Sequence, residues 1–357
     1  MVVNMSFWRN KKVLITGHTG FKGSWLALWL QQLGAHVVGF SLDAPTTPNL
    51  FSIADVTKNM ISIQGDVRDL NSLNSVFIQH QPEIVFHMAA QSLVRYSYEH
   101  PVETYSTNVM GTVNLLQAAR ITGTVKAIVS VTSDKCYENK SLSRGYQEDD
   151  QLGGYDPYSN SKACAELVTS AFYKSYYKDS ESSCGLASAR AGNVIGGGDW
   201  AKDRLIPDLV NSFLNSSNFL VRYPKALRPW QHVLEPLHGY LKLAQFLYLS
   251  PDEYSQAWNF GPAEEDVRPV DWIVQQMQML WDKELNVCYE SNPVLHEATL
   301  LILDSSKAKN DLGWNPKWNL ETALLKTVDW YRAYDRGEDM RIKTISQIEE
   351  YLVDSYL

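Results

Sequence analysis

Residues 12–26, KVLITGHTGFKGSWL, decide the fold. Lys12–Thr16 is a short apolar run of strand character that opens directly into Gly17-x-x-Gly20-x-x-Gly23. A strand that turns through glycines into a helix carries backbone N–H groups to the helix N-terminus, where they meet a pyrophosphate. A glycine triplet alone is weak evidence. Here a helical stretch, FKGSWLALWLQQLG, follows it, and a second strand-like run, HVVGF, comes at the expected distance. Gly17, Thr19, Gly20, Phe21, Lys22 and Gly23 are therefore expected around the diphosphate of a dinucleotide.

The same logic extends strand by strand. The position closing the second strand, where an acid would hold the adenosine ribose, is Ser41, with Asp43 two residues on. No arginine stands at that tip to meet a 2′-phosphate, which favours NAD over NADP. Asp66 and Val67 follow the third strand, where a carboxylate could meet the adenine amino group. Ala89 and Ala90 follow the fourth, where small side chains let the backbone approach the cofactor.

Strand patterns at Lys12–Thr16, His36–Phe40, Met60–Gln64, Ile84–His87, Ala127–Val131 and Gly185–Arg190 alternate with helical patterns at Gly20–Leu33, Leu70–Gln79, Pro101–Arg120 and Tyr158–Tyr176. Alternation of this kind, with continuous apolar strands, predicts an α/β fold: a Rossmann-type, doubly wound parallel sheet covered on both faces. After residue 190 glycine and proline become frequent, which predicts a smaller C-terminal α/β lobe. The expected division is residues 1–190 for the NAD-binding domain and 191–357 mainly for a substrate lobe, with helical returns near 236–249 and 320–335. No clean linker separates them.

Bulk composition narrows the function. A net charge of -8 gives no electrostatic reason to expect nucleic acid or an acidic membrane surface as partner. Cys136, Cys164, Cys184 and Cys288 form no CxxC pair, and His87 and His296 lack metal-ligand spacing, so neither a disulfide framework nor a metal site is expected. The N-terminus lacks a signal-peptide apolar stretch and no run of 18 apolar residues occurs, so a soluble, cytoplasmic protein is expected.

Two further stretches carry chemistry. In DPYSNSK, residues 156–162, Asp156 is a helix cap, Pro157 takes the first turn, and Tyr158 and Lys162 fall on one helix face. A neighbouring ammonium is expected to lower the phenol's pKa and make Tyr158 a base for a hydroxyl. In VTSDKCY, residues 131–137, Ser133, Asp134 and Lys135 sit at the tip of a buried strand, an acid beside an amine. YxxxK alone is common on solvated helices; after a dinucleotide turn and a strand ending TSDK, it points to a reaction centre.

With GHTGFKGSWL, HMAAQSLVR, VTSDKCYEN, DPYSNSKACAE, RAGNVIGGGDW, DRLIPD, RPWQHVLEP, WNFGP and LDSSKAKNDLGW, the chain resembles the extended short-chain dehydrogenase/reductase family over nearly its whole length, and within it the nucleotide-sugar 4,6-dehydratases. The resemblance implies a hydro-lyase with NAD: Tyr158, with Lys162, takes the C4 hydroxyl proton as hydride leaves C4. Asp134 then protonates the departing C6 hydroxyl, and the hydride returns to C6. Relatives carry Glu as C5 base at the position of Lys135, so Lys135 is expected to take part in the C5 proton transfer, directly or by stabilising an enolate. Ser133 is implied at the sugar's O4, with Thr132 structural. Gln91, Asn193, Arg204, Arg228 and His232 are implied at the nucleotide sugar, Arg222 is left open, and Trp200 and Trp230 are either base-stacking or core. CDP-glucose as substrate is an implication of TSDK, GGGDWAxDRLIPD and RPWQHV, not of physical reasoning. The family also implies a homodimer through Thr107–Ala119 and Tyr158–Tyr173, with a tetramer open. An epimerase or reductase on the same scaffold competes with this reading, and a non-catalytic dinucleotide sensor stands further off.

Overall fold

In the computed structural model, which describes residues 4–142, 144–178, 184–290 and 301–353, Lys12–Thr16 forms strand β1, and Val13, Leu14 and Ile15 are fully buried. Parallel strands flank it on both sides: β2 (His36–Ser41), with β3 (Ile61–Gln64) beyond it, and β4 (Ile84–His87), followed by β5 (Ala127–Val131) and β6 (Gly185–Ala191). Past residue 190 the chain adds β7 (Asn193–Ile195), β8 (Phe219–Val221), β9 (Leu227–His232), β10 (Ala257–Phe260), β11 (Val267–Pro269) and β12 (Val287–Tyr289). β10 pairs in parallel with β6 and completes a seven-stranded sheet in the order β10-β6-β5-β4-β1-β2-β3. That seventh strand was not singled out by the apolar pattern. β11, β9 and β7 make a small mixed sheet, and β8 pairs with β12.

Strand order reverses between β1 and β4, and the crevice at their carboxyl ends is where such sheets bind ligands. The period of two sends Leu14 to a core with Leu73, Phe77, Leu115 and Leu116, while Val13 and Ile15 face the other core. Helices α1 (Phe21–Gln32), α2 (Leu70–His80), α3 (Gly111–Thr122), α4 (Pro157–Phe172), α5 (Leu205–Asn215), α6 (Leu234–Leu249), α7 (Val270–Trp281), α8 (Leu320–Asp335) and α9 (Met340–Val353) complete the layers. α1 is buried continuously from Gly23 to Leu30, because the sheet lies on one side while α6 and α9 cover others; its all-round apolar sequence fits that place. α6 returns to lie on β5 and β6, whereas α8 packs on β7 and β9 and against α7 and α9.

The helical segment 101–122 is continuous but contains a π-helical turn at Ser106–Met110, and α4 passes into another at Tyr173–Tyr177. No helix among the described residues is long and apolar enough to cross a membrane.

Candidate active site

The glycine turn is shaped by backbone contact. Gly17 has φ +78°, and a Cβ there would come within 2.7 Å of the Ala89 nitrogen. A Cβ on Gly23 would stand 2.2 Å from the Gly17 carbonyl oxygen, so only glycine lets α1 start this close to the turn. Gly20 offers no side chain to cap α1, which leaves its first-turn N–H groups for a ligand. A cleft of about 1450 Å3 opens over this turn, and it is lined by Gly17, Thr19, Gly20, Phe21, Lys22 and Gly23, by Ser41, Asp66 and Val67, and by Ala89 and Ala90. These residues make a cradle that fits NAD.

At the β2 end, Ser41 Oγ is hydrogen-bonded to Thr19 Oγ1 at 2.8 Å, and Asp43, also lining the cleft, accepts from Gln64 Nε2 at 2.9 Å. Asp66 is engaged by Arg68, whose guanidinium approaches to 2.6 Å and holds the carboxyl below its ordinary range. Its hydrogen-bonding capacity toward an adenine is therefore shared with Arg68.

The helix bearing Tyr158 begins as expected: Pro157 occupies the first turn, and Asp156 accepts from the Ser159 N–H at 2.9 Å and from its hydroxyl at 2.6 Å. Lys162, one turn on, is 6% exposed and donates to the Val131 carbonyl at 3.2 Å. Burial pushes its pKa down to about 8 against the pull of Glu166. Tyr158 departs from expectation, for burial raises its pKa overall. The foremost opposing charge is Lys135, followed by the hydrogen bond between Tyr158 and Ser133; Lys162 is spent on the strand-tip carbonyl.

β5 delivers the acid and the amine. Asp134 is 2% exposed, and its Oδ1 accepts from Ser133 Oγ at 2.9 Å and from Lys135 Nζ at 3.3 Å. Burial alone would lower the Lys135 pKa, but Asp134 and Tyr158 outweigh it and raise it. Lys135 is an ammonium in this state, which counts against its acting as a base without first giving up a proton.

The nucleotide-sugar candidates divide. Asn193, Arg204 and Arg228 line the cleft, with Arg204 donating to Asp199 at 3.0 Å and Ser92 at 3.1 Å. Arg222 lines it too, donating to Asp203 at 2.8 Å. Gln91 lines the cleft, but its amide is used on Leu93 and Thr104. His232 does not reach the cleft. It is fully buried between Trp25 and Trp318, and burial drives its pKa down to about 3, so it is a neutral core histidine. Trp200 stacks on Tyr331 at 5.0 Å and Trp230 is 4% exposed, and both also line the cleft, so each combines packing with a face toward the ligand space.

His87 bridges Thr16 and Thr112 inside the sheet, and no cluster among the described residues could hold a metal ion. His296 lies outside the described residues.

Sequence reasoning missed two features. Lys22 Nζ donates to the Tyr240 hydroxyl at 3.3 Å, so α6 places a phenol at the cofactor turn. Burial first, then Lys162 and Arg204, push the Lys22 pKa down to about 7. The second is a carboxylate behind Lys162, Glu166, joined to Arg190 at 2.8 Å. Both couple segments far apart in the chain, and neither carries a local signal.

Comparison with known proteins closes the argument. Residues 14–327 match the family described as GDP-mannose 4,6 dehydratase. The chain is 52% identical to the CDP-glucose 4,6-dehydratase of Salmonella typhimurium over 98% of this chain and 99% of that one. It is 28% identical to a dTDP-glucose 4,6-dehydratase of Xanthomonas campestris over 89% and 92%. The fold matches that of a dTDP-glucose 4,6-dehydratase from Bacillus anthracis in complex with NAD, with TM-score 0.76 and 24% identity over 92% and 98%. It also matches a UDP-glucose 4-epimerase from Thermotoga maritima, with TM-score 0.78 and 21% identity over 90% and 99%. The cradle, the Tyr158/Lys162 helix and the match over residues 14–327 agree, and the chain belongs to the GDP-mannose 4,6-dehydratase family of nucleotide-sugar dehydratases.

Proposed function

We propose that this protein converts CDP-glucose to CDP-4-keto-6-deoxyglucose. The observation that carries the reading is the Asp134–Lys135 pair beside Tyr158 in a cleft that fits NAD. An epimerase has no need of an acid and an amine at C5 and C6. The cytidine nucleotide rests on the 52% identity to the Salmonella typhimurium enzyme over nearly the full length of both chains.

Bound NAD supplies a hydride acceptor for C4 and a donor to C6, so the net reaction is loss of water. Gly17, Gly20 and Gly23 admit its diphosphate to the helix N-terminus, with Ser41 and Asp43 at the adenosine end. Tyr158 takes the O4 proton; Lys135 and Ser133 counter the burial that makes the phenol a weak acid. Lys162, held on the Val131 carbonyl, lends its charge to the site, and Ser133, beside Tyr158, is placed to orient the reacting hydroxyl.

Elimination requires a base at C5 and an acid at O6. In the resting pair Lys135 holds the proton and Asp134 accepts a hydrogen bond from it. Transfer of that proton from Nζ to the Asp134 carboxyl gives a neutral amine and a neutral acid together. The amine then takes the C5 proton, the acid protonates the C6 hydroxyl as it leaves as water, and the pair ends as ammonium and carboxylate. The same ammonium returns a proton to C5 when hydride reaches C6. Arg204 and Arg228 suit the diphosphate, as guanidinium forks match phosphate oxygens, with Asn193 and Gln91 nearby.

The protein is further proposed to be a homodimer through the helical segment 107–119 and α4, whose outer faces expose Met110 and Leu167.

The test is incubation with CDP-glucose, with and without added NAD, beside dTDP-, GDP- and UDP-linked hexoses, followed by mass spectrometry. Loss of one water from the CDP sugar alone, without net NADH, is expected. An unchanged mass with an inverted hydroxyl would overturn the reading in favour of an epimerase.

A further inference from the structure

Helix α4 turns three side chains, spaced one turn apart, toward the end of β5: Tyr158, Lys162 and Glu166. Three consecutive residues receive them. The Val131 carbonyl accepts from Lys162, the Thr132 hydroxyl donates to Glu166, and the Ser133 side chain bonds Tyr158. Glu166 is 4% exposed and lies behind the cleft, which it does not line. Its Oε2 accepts from Ser188 Oγ at 2.5 Å and from Arg190 Nη2 at 2.8 Å, both on β6. Arg190, 2% exposed, runs on to the Tyr137 hydroxyl at 2.6 Å and the Glu148 carbonyl at 3.1 Å.

None of the chemistry above uses this carboxylate. A buried ion pair is poor evidence of stabilisation, since desolvating both charges offsets their attraction and apolar residues would fill the space as well. Its place, one turn from a buried lysine of the reaction centre, gives it another use.

We propose that Glu166 is a positioning residue: locked as a carboxylate by Arg190, Thr132 and Ser188, it keeps Lys162 an ammonium and fixes α4 against the strand tip that carries Asp134 and Lys135. The inference rests on the dehydratase reading above for the use made of Lys162. Burial opposes ionisation of Glu166, and Arg190, then Ser188 and Thr132, outweigh it and hold the group below its ordinary range. Burial likewise drives Lys162 down to about 8, and Glu166 is the foremost influence in the other direction. The remaining titratable groups around Lys162 are Tyr158 on α4, Cys136 after β5, His87 on β4 and Lys22 opening α1, with Arg190 on β6 behind the carboxylate. Among them only Cys136 joins Glu166 in raising its pKa, and burial pushes that thiol well above its ordinary value, so it stays neutral. Glu166 is thus the ionised group that retains the proton.

The experiment compares wild type, Glu166→Gln, Glu166→Asp and the double variant Glu166→Gln/Arg190→Met, which leaves no unpaired guanidinium in the interior. Protein labelled at the lysine Cε carbon is titrated by NMR without cofactor, and Lys162 is assigned by its loss in Lys162→Met. In Glu166→Gln the midpoint should fall by about one pH unit, as removal of a buried charge one helical turn away requires, and in the double variant by less, because the guanidinium lost with it lies behind the carboxylate. The alkaline limb of kcat/KM for CDP-glucose should move down by the same amount, with KM little changed and Glu166→Asp restoring most of both. Folding is checked by melting, and the double variant answers if the single one unfolds. A Lys162 midpoint and alkaline limb that stay within a few tenths of a unit in folded Glu166→Gln, or that do not move at all in the double variant where the single one unfolds, would overturn the proposal. If wild type leaves CDP-glucose untouched, the dehydratase reading fails, while the lysine titration still decides the role of Glu166.

Discussion

Replacing Lys135 separates two contributions that the ion pair at the tip of β5 combines. Its ammonium lies 3.3 Å from the Asp134 carboxylate and is the foremost charge opposing the burial of Tyr158. For a phenolate about 5 Å from an ammonium the bare Coulomb energy is about 3 kcal/mol at an effective dielectric near 20. The lysine side chain is 37% exposed, so solvent and salt screen it, and roughly 1.4–2 kcal/mol is a fair share at the reaction centre. That corresponds to about ten- to thirtyfold in rate. Lys135→Met should therefore slow the hydride step from C4 by about this factor at neutral pH. The loss should shrink as pH rises, because without its counter-charge the Tyr158 phenol ionises only at higher pH. Lys135→Arg isolates the other contribution. It keeps the charge but cannot release a proton in water.

The assays follow C4–H cleavage by single-turnover absorbance of the reduced nicotinamide and C5 exchange in deuterated water by mass spectrometry. With Arg at this position the first should stay within about threefold of wild type, on the scale of that screened electrostatic share. Exchange and water loss should fall below detection. An arginine variant that exchanges C5 and forms product at rates close to wild type would refute the shared-proton account, and Lys135 would then act through its charge alone.

Gly23→Ala should weaken NAD binding by calorimetry at least about tenfold, because a methyl 2.2 Å from the Gly17 carbonyl forces the start of α1 away from the turn. Glu235→Gln should melt higher than wild type at pH 8 but not at pH 5. Burial raises the Glu235 pKa from 4.5 to about 7, so the folded state holds a proton the unfolded chain has lost, and wild type gives up stability as pH rises through that window, by up to about 3 kcal/mol. Leu167→Glu, a charge on the exposed face of α4, should give a monomer by light scattering where the proposal has wild type a dimer, without changing the melting temperature by more than a degree or two.

What could be read from the sequence was whatever local rules dictate. Glycines at 17, 20 and 23, the Asp156 cap and the four-residue spacing of Tyr158 and Lys162 each act within one or two turns, and the chain folds there as their chemistry requires. Helical spacing put Lys162 on the same face as Tyr158 but could not say what its amine would meet, and the Val131 carbonyl claimed it. His232 stood in a motif rich in polar residues, yet β9 turns it inward between two tryptophans. β10 was missed because it is short, carries a polar Asn259 and becomes a strand only by pairing with β6. Partners such as Lys22 with Tyr240, or Glu166 with Arg190, are 218 and 24 residues apart, and no periodicity connects them.

Charge is the point on which composition and site differ most. A chain of net charge -8 gathers Lys22, Lys135, Lys162, Arg204 and Arg228 around one buried carboxylate, Asp134. Burial lowers two of these amines, Lys22 to about 7, with Lys162 and Arg204 adding to it, and Lys162 to about 8. A nucleotide sugar and a dinucleotide each bring a diphosphate, and their negative charge relieves that repulsion and favours the protonated amines. The diphosphates thus help to keep Lys22 and Lys162 protonated, while Lys135 remains the foremost charge that opposes the burial of Tyr158. On the proposed mechanism, one arrangement of cations serves both recognition of the diphosphates and the proton transfer at Tyr158.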